Sequence, residues 1–162
     1  MELRTWYRLI EVPAGVWFEA LLDFAAARRG HYPTFSLIEH GAAPAVGAAA
    51  ELLKNLEPHL ITTAGIDRWP GRPQGGGTAR LRFYRLERHA TQVLARCGSL
   101  AAFVAPLPED LCVLAADKTP WLVSRAREGR FFLHLTTEEQ RAVAKALPWL
   151  LLAEETAPPD FS

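Results

Sequence analysis

The chain has 162 residues, of which 18 are Lys or Arg and 18 are Asp or Glu, so the formal net charge is zero. A balanced charge gives no global field that would attract nucleic acid or an anionic membrane. Apolar residues make up 49% of the sequence, which excludes a wholly disordered chain. The length suits one domain with its own core, and we expect a single α+β domain over 1–153 and a frayed acidic tail over 154–162.

Targeting and redox signals are weak throughout the sequence. Cys97 and Cys112 are too few for a disulfide framework. The first residues lack the apolar run of a signal peptide, and no apolar run reaches the roughly 18 residues that span a bilayer. We therefore expect a cytoplasmic protein with no membrane partner.

The first half of the chain alternates strand and helix signals. Aromatic and β-branched residues over 4–12 predict a strand that Pro13 ends. Apolar residues three and four positions apart then predict a helix over 14–29. Further predicted elements are a strand at 34–40, a helix at 48–57 and a strand at 59–66.

The least regular segment is 67–77, which contains two Pro and four Gly and is predicted to be a loop. The triple glycine Gly75–Gly77 precedes a predicted strand at 78–86. A phosphate-binding loop needs a helix N-terminus behind its glycines, so this segment is not one. A short helix is predicted at 89–97.

The region from 99 to 135 contains four short apolar runs separated by turn residues, a spacing typical of an antiparallel meander. Thr136 and Glu139 then form the pattern of a capping box, which predicts a helix over 137–147. The fold class that follows is α+β: a mainly antiparallel sheet, made of the meander at about 99–135 and the strand at about 78–86, with three or more helices packed on it.

The strongest local charge lies between Arg68 and Arg96, where seven Arg stand against one acid, Glu87. Strand alternation places the side chains of Arg80, Arg82 and Tyr84 on one face. Such a face beside a glycine-rich loop could bind a protein partner or phosphate groups. The alternative is a solvated face whose arginine stems cover apolar surface. The candidate binding residues are Arg68, Trp69, Arg72, Arg80, Arg82, Tyr84, Arg85 and Arg88.

Catalytic and metal-binding patterns are sparse in this sequence. Glu109 and Asp110 are adjacent, so on a strand their side chains would point apart. Ser124 lacks the surrounding glycines of a nucleophile elbow, and the His and Cys residues show no paired spacing typical of a metal site. We expect no cofactor and no metal. A hydrolase or transferase site near Glu109, Asp110, Ser124 and Glu128 is the weaker alternative to a non-enzymatic protein.

Several short motifs follow one another in a fixed order: Trp69-Pro70-Gly71, an alternating strand, Pro-Glu-Asp-Leu at 108–111, Trp-Leu-Val-Ser at 121–124 and an acid-rich helix start. With these motifs in this order, residues 60–152 resemble a widespread family of small uncharacterised bacterial proteins. The resemblance implies a single cytoplasmic α+β domain and brings no established activity. Arg127 stands where the family has His, so no catalytic His–Glu pair is implied.

The function that these observations favour is binding to another protein. Five Trp, one basic loop-and-strand region and no catalytic set are typical of an interaction or accessory protein, for example of the immunity type. A nucleic-acid- or phosphate-binding protein that uses the Arg-rich 68–96 region is the first alternative, and a small hydrolase or transferase is the second. The partner's identity and the oligomeric state stay open.

Overall fold

A computed structural model of the chain describes residues 2–28, 30–40, 44–65 and 79–160. Within these ranges, eight strands form one antiparallel sheet and four α-helices accompany it, which confirms the predicted α+β class. The strands are β1 (Thr5–Leu9), β2 (Thr34–His40), β3 (Leu60–Gly65), β4 (Ala79–Arg85), β5 (Glu109–Leu114), β6 (Pro120–Arg125), β7 (Arg130–Leu135) and β8 (Leu152–Glu154). The helices are α1 (Val16–Ala27), α2 (Gly47–Leu56), α3 (Arg88–Ala95) and α4 (Thr137–Ala146).

The strand order across the sheet is β3-β4-β2-β5-β6-β7-β1-β8, so β5, β6 and β7 form a meander as predicted. The first of the four apolar runs is not a strand. Its residues Leu100–Ala102 form a 3₁₀ turn that buries Leu100, and Phe103 after the turn is also buried. Pro106 and Pro108 lack the N–H that a strand ladder needs and separate this turn from β5.

One face of the sheet is covered by the helices through a single large apolar cluster. Trp121 lies within this cluster, with its ring centroid 4.4 Å from Tyr32 and 6.0 Å from Phe24. Fully burying each aliphatic or Phe side chain contributes about 1.5–3 kcal/mol. Helix residues in the cluster include Phe18, Leu21, Leu22, Leu52, Leu56, Val93, Leu94 and Val143. None of the described helices is long and apolar enough to cross a membrane.

The opposite face of the sheet also carries buried apolar residues. One cluster there contains Cys112, Leu114 and Val123, and Phe83 packs against it. A second cluster contains Ile38, Ala79 and Leu81, and Phe83 packs against that one too. The central strands are therefore apolar on both faces.

The capping box predicted for α4 is present. Thr136 Oγ1 accepts a hydrogen bond from the Glu139 N–H at 3.1 Å, and Glu139 Oε2 accepts one from the Thr136 N–H at 2.8 Å. The same carboxylate accepts from Arg4 Nη1 at 2.7 Å and from the Tyr32 hydroxyl at 3.0 Å. Burial, together with the Glu139 charge, raises the pKa of Tyr32. Glu139 thus joins three parts of the chain.

The last described residues run along the sheet. Glu154 is the last residue of β8, and the Glu155 N–H donates to the Trp6 carbonyl at 2.8 Å. Arg125 Nη1 donates to the Asp160 carbonyl at 3.1 Å. The first part of the segment predicted as a frayed tail therefore makes sheet contacts, because β8 ends one residue beyond the predicted boundary and Glu155 adds one more backbone hydrogen bond.

Candidate functional site

Three of the predicted binding residues, Arg68, Trp69 and Arg72, lie outside the described residues, as does Gly75–Gly77. The other five lie on β4 or at the beginning of α3.

Arg80 and Arg82 converge on one carboxylate, that of Glu39. Arg82 Nε donates to Glu39 Oε2 at 2.6 Å, and Arg80 Nη2 donates to Oε1 at 3.4 Å. The antiparallel register of β2 and β4 places Glu39 directly opposite Arg80, and only 9% of the Glu39 surface is exposed. We call these three residues the arginine edge. A phosphate group there would have to compete with a carboxylate already in place.

Arg85 also has a carboxylate partner. Its Nε donates to Glu87 Oε1 at 3.2 Å, and its Nη2 donates to the Pro58 carbonyl at 2.8 Å. Arg88 is exposed at the first residue of α3. The structure therefore brings Arg80 and Arg82 together and gives Arg85 a partner of its own.

The choice of Tyr84 as a binding residue is wrong. Its exposed fraction is 0%, and its ring stacks on Phe35 with centroids 5.0 Å apart. The alternation predicted for β4 is present, but the face that holds Tyr84 is the one that the helices cover. Burial raises the pKa of Tyr84 to about 12, so the hydroxyl stays protonated at neutral pH.

Glu109 lies in the wall of a cleft of about 290 Å³ between the end of β2, the beginning of α2 and residues 105–108. Its Oε1 is 2.8 Å from Arg127 Nη2, and its Oε2 is 2.9 Å from His40 Nε2. A carboxylate held by two such partners is positioned rather than free to act as a base.

Asp110 is buried in a left-handed backbone conformation, with φ +54°. Its Oδ1 accepts a hydrogen bond from the Ala126 N–H at 2.9 Å. Burial is the main cause that raises its pKa to about 7, and the Ala126 hydrogen bond opposes that shift. The side chain therefore ties β5 to the turn after β6. It stays protonated up to a higher pH than an ordinary Asp side chain does.

Ser124 and Glu128, the other two residues of the catalytic alternative, do not join this group. The Ser124 hydroxyl is buried and has no hydrogen-bond partner in the described part of the chain. Glu128 lies 2.7 Å from Arg125. A serine nucleophile needs a base within hydrogen-bond reach, so these residues do not form a catalytic arrangement. No group of three or more potential metal ligands was found among the described residues either.

An apolar surface that no sequence motif marks lies where β1 continues into α1. Half of the Trp17 surface is exposed, 51%, and its ring centroid lies 5.0 Å from that of the half-buried Trp149. Of the eight large apolar side chains that the described residues expose, five lie here. We call this group the tryptophan surface; its members are Ile10, Val12, Val16, Trp17, Trp149 and Leu151.

Backbone hydrogen bonds hold the two chain segments that carry the tryptophan surface. The Ile10 N–H donates to the Leu151 carbonyl at 3.0 Å, and the Gly15 N–H donates to the Gly98 carbonyl at 2.7 Å. Gly15 has φ +58°, a conformation that favours glycine and turns the chain into α1. Because the backbone is tied on both sides, the two tryptophans are presented by a fixed frame around a shallow cavity of about 200 Å³.

Two acidic residues lie on the segment that carries Trp17. Glu11 lines the shallow cavity, and Glu19 lies in the first turn of α1. Both side chains are exposed, and neither forms an ion pair within the described residues. The surface therefore combines an aromatic centre with a negative border.

No protein-family model, curated protein or solved structure matches the chain. The resemblance carried by the Trp-Pro-Gly, Pro-Glu-Asp-Leu and Trp-Leu-Val-Ser motifs stays a prediction.

Proposed function

We propose that the protein is a non-enzymatic partner-binding module, of the interaction or accessory type, whose protein partner docks on the tryptophan surface. The observation that carries the proposal is the contact between the exposed Trp17 and the half-buried Trp149 on a backbone held by hydrogen bonds. Tryptophan is one of the residue types enriched among the side chains that dominate binding energy at protein interfaces. A cytoplasmic, bacterial setting and the family resemblance belong to the same proposal.

The border of the tryptophan surface indicates the chemistry of the partner. Glu11 and Glu19 have no counter-ion among the described residues, so a partner gains from placing Lys or Arg beside them. The partner segment is therefore an aromatic or large aliphatic side chain flanked by basic residues. A second copy of this chain would bring acids against acids around a two-fold axis, which disfavours self-association.

The two alternative functions have less support. A phosphate backbone would be repelled by Glu11 and Glu19 at the tryptophan surface, and at the arginine edge Glu39 already pairs with Arg80 and Arg82. Nucleic acid that bound to these two arginines would have to compete with that carboxylate. A hydrolase would require Ser124 to have a base, and none of the described residues supplies one.

The test is a selection of random peptides displayed on phage against the immobilised wild-type protein. Selected peptides are synthesised, and their affinities are measured by fluorescence anisotropy. We expect peptides with an aromatic or large aliphatic residue next to Lys or Arg. Their affinity should fall at least about tenfold in Trp17→Ala and be unchanged in Leu3→Ala, a matched control that truncates an exposed apolar residue elsewhere.

Three outcomes would overturn the proposal. The first is the absence of any enriched peptide, and the second is binding that neither Trp17→Ala nor Trp149→Ala weakens. The third is a wild-type dimer in sedimentation equilibrium that Trp17→Ala converts to a monomer, because this surface would then join two copies of the chain rather than bind a different protein.

A further inference from the structure

A separate pocket lies at the end of the sheet where β3 begins and the turn between β5 and β6 closes. Its volume is about 380 Å³, within the range of about 300–1,000 Å³ that is typical of small-molecule sites. It shares no lining residue with the arginine edge or the tryptophan surface. The lining residues are Pro33, Thr34, Ile61, Thr62, Phe83, Leu114, Ala115, Ala116 and Lys118.

The apolar walls of this pocket come from β3, β4 and β5, with Thr34 of β2 between β4 and β5, and one wall residue lies at a bulge. The register of β3 against β4 shifts between Leu60 and Thr62, so Ile61 is the extra residue of a β-bulge. A bulge re-aims a side chain relative to the regular ladder. Ile61 is half exposed at the pocket, while Phe83 and Leu114 supply walls that are continuous with the buried clusters of this face.

Lys118 is the one charged residue among the nine that line the pocket. It forms no ion pair with any described carboxylate, and the neighbouring Asp117 instead accepts hydrogen bonds from the Thr119 N–H at 3.0 Å and the Thr119 hydroxyl at 2.6 Å. An ammonium group on a flexible stem at the wall of an apolar cavity suits the head group of an amphipathic anion.

Lys118 takes the left-handed position of the turn between β5 and β6. It has φ +69°, and its N–H donates to the Ala115 carbonyl at 2.9 Å, as in a hairpin loop whose type I turn is followed by a left-handed residue. Glycine or asparagine is favoured at such a position. The turn itself therefore accounts for this conformation, and Lys118 contributes to the pocket through its ammonium group.

From these observations, we propose that the pocket binds a small organic carboxylate with an unbranched or aromatic apolar body. The apolar body contacts Ile61, Phe83 and Leu114, and the Lys118 ammonium pairs with the carboxylate. This site goes beyond the proposed partner-binding function and does not depend on it.

Decanoate is the probe, titrated into the full chain by calorimetry and followed by changes in the methyl resonances of Ile61 and Leu114. We expect saturable binding that Lys118→Gln weakens about tenfold and that Lys145→Gln, which removes an exposed lysine on α4, leaves unchanged. Acetate lacks the apolar body and should not bind. Decanol lacks the charge and should bind more weakly than decanoate, with no further loss in Lys118→Gln.

Two further variants distinguish a loss of decanoate binding from a loss of folding. Glycine is favoured at this left-handed position, so Lys118→Gly should keep or raise the melting temperature while it loses decanoate. Ala116→Trp should fill the pocket and abolish binding. The proposal is overturned if wild-type protein does not bind decanoate, if Lys118→Gln binds it as tightly as wild type, or if the protein binds anionic phospholipid vesicles but not free decanoate.

Discussion

The tryptophan surface and the arginine edge both present residue types that proteins use for binding, but the fold treats them differently. At the arginine edge, Arg80 and Arg82 share the Glu39 carboxylate, at 3.4 Å and 2.6 Å. At the tryptophan surface, Trp17 packs on Trp149 and the rest of its exposed area has no partner within the described residues. The difference teaches that a binding surface is identified by what the fold leaves unpaired, since residue type alone would have chosen the arginines.

Sequence distance explains why the pairing of these arginines was not predicted. Glu39 lies 41 residues before Arg80 in the chain, so a count of charges over 68–96 did not include it. Only the pairing of β2 with β4 brings the carboxylate into place. Local charge counts therefore describe composition, and the topology decides which charges stay available.

The largest expected effect separates an exposed tryptophan from a buried one. Trp121 is fully buried and contacts Tyr32 and Phe24, so Trp121→Ala should lower the free energy of unfolding by about 3–5 kcal/mol. Trp17→Ala removes a half-exposed ring, so it should lower that free energy by less than about 1 kcal/mol while it weakens peptide binding. Urea denaturation measures both. A large loss of stability in Trp17→Ala would mean that this side chain serves packing instead of recognition.

The second prediction tests whether Glu39 neutralises the arginine edge. Glu39→Gln leaves the mostly buried Arg82 guanidinium and the half-exposed Arg80 guanidinium without a carboxylate, so it should lower the free energy of unfolding by about 1–3 kcal/mol. Glu155→Gln is the matched control, since Arg8 and Glu155 are each about one-third exposed or more and their pair should contribute less than about 0.5 kcal/mol.

The same Glu39→Gln variant should also elute from heparin at higher salt than wild type, because the arginines become available to an anion. If wild-type protein already binds single-stranded RNA with a steep salt dependence, and Arg80→Ala with Arg82→Ala removes that binding, the arginine edge is a phosphate site despite its carboxylate.

The third prediction concerns the pH dependence of stability and Asp110, the residue after Glu109 in the cleft wall. Burial raises the pKa of Asp110 from its usual 3.8 to about 7 in the folded chain. Between these values, the folded state holds a proton that the unfolded state has released, so the free energy of unfolding falls as pH rises through this window. Asp110→Asn stays neutral, tolerates φ +54° and can still accept from the Ala126 N–H. On going from pH 4 to pH 8, the melting temperature of wild type should therefore fall relative to that of Asp110→Asn, as measured by thermal unfolding.

The smallest expected effect comes from the acidic border of the tryptophan surface. Glu11→Gln and Glu19→Gln together should slow the association of a selected basic peptide by about two- to tenfold at low salt, and the difference should shrink at high salt. Stopped-flow fluorescence measures the rates. Equal association rates in wild type and the double variant would remove the argument for a basic partner while leaving the apolar contact intact.

Much of the fold could be predicted because its signals are local. The predicted bounds of β2 coincide with the observed Thr34–His40, and the capping box of Thr136 and Glu139 correctly located the beginning of α4. The prediction of a strand after Ser99 was wrong. Leu100 and Phe103 are buried in and beside a 3₁₀ turn, which gives the same short apolar pattern as a strand.

The candidate site could not be predicted in the same way. The tryptophan surface joins residues 10–17 with 149–151, and no local pattern connects two segments so far apart in sequence. The side of the sheet on which Tyr84 lies depends on where the helices pack, which strand alternation alone leaves undetermined. The pairing of Arg82 with Glu39 likewise depends on strand order.

The most direct test of partner binding at the tryptophan surface is a map of backbone amide shifts as a selected peptide is titrated into ¹⁵N-labelled protein. We predict that the largest shifts lie at residues 10–17 and 149–152, and that Trp17→Ala removes them. Shifts concentrated at Glu39, His40 and residues 80–85, with residues 10–17 unchanged, would contradict the proposal and assign binding to the arginine edge.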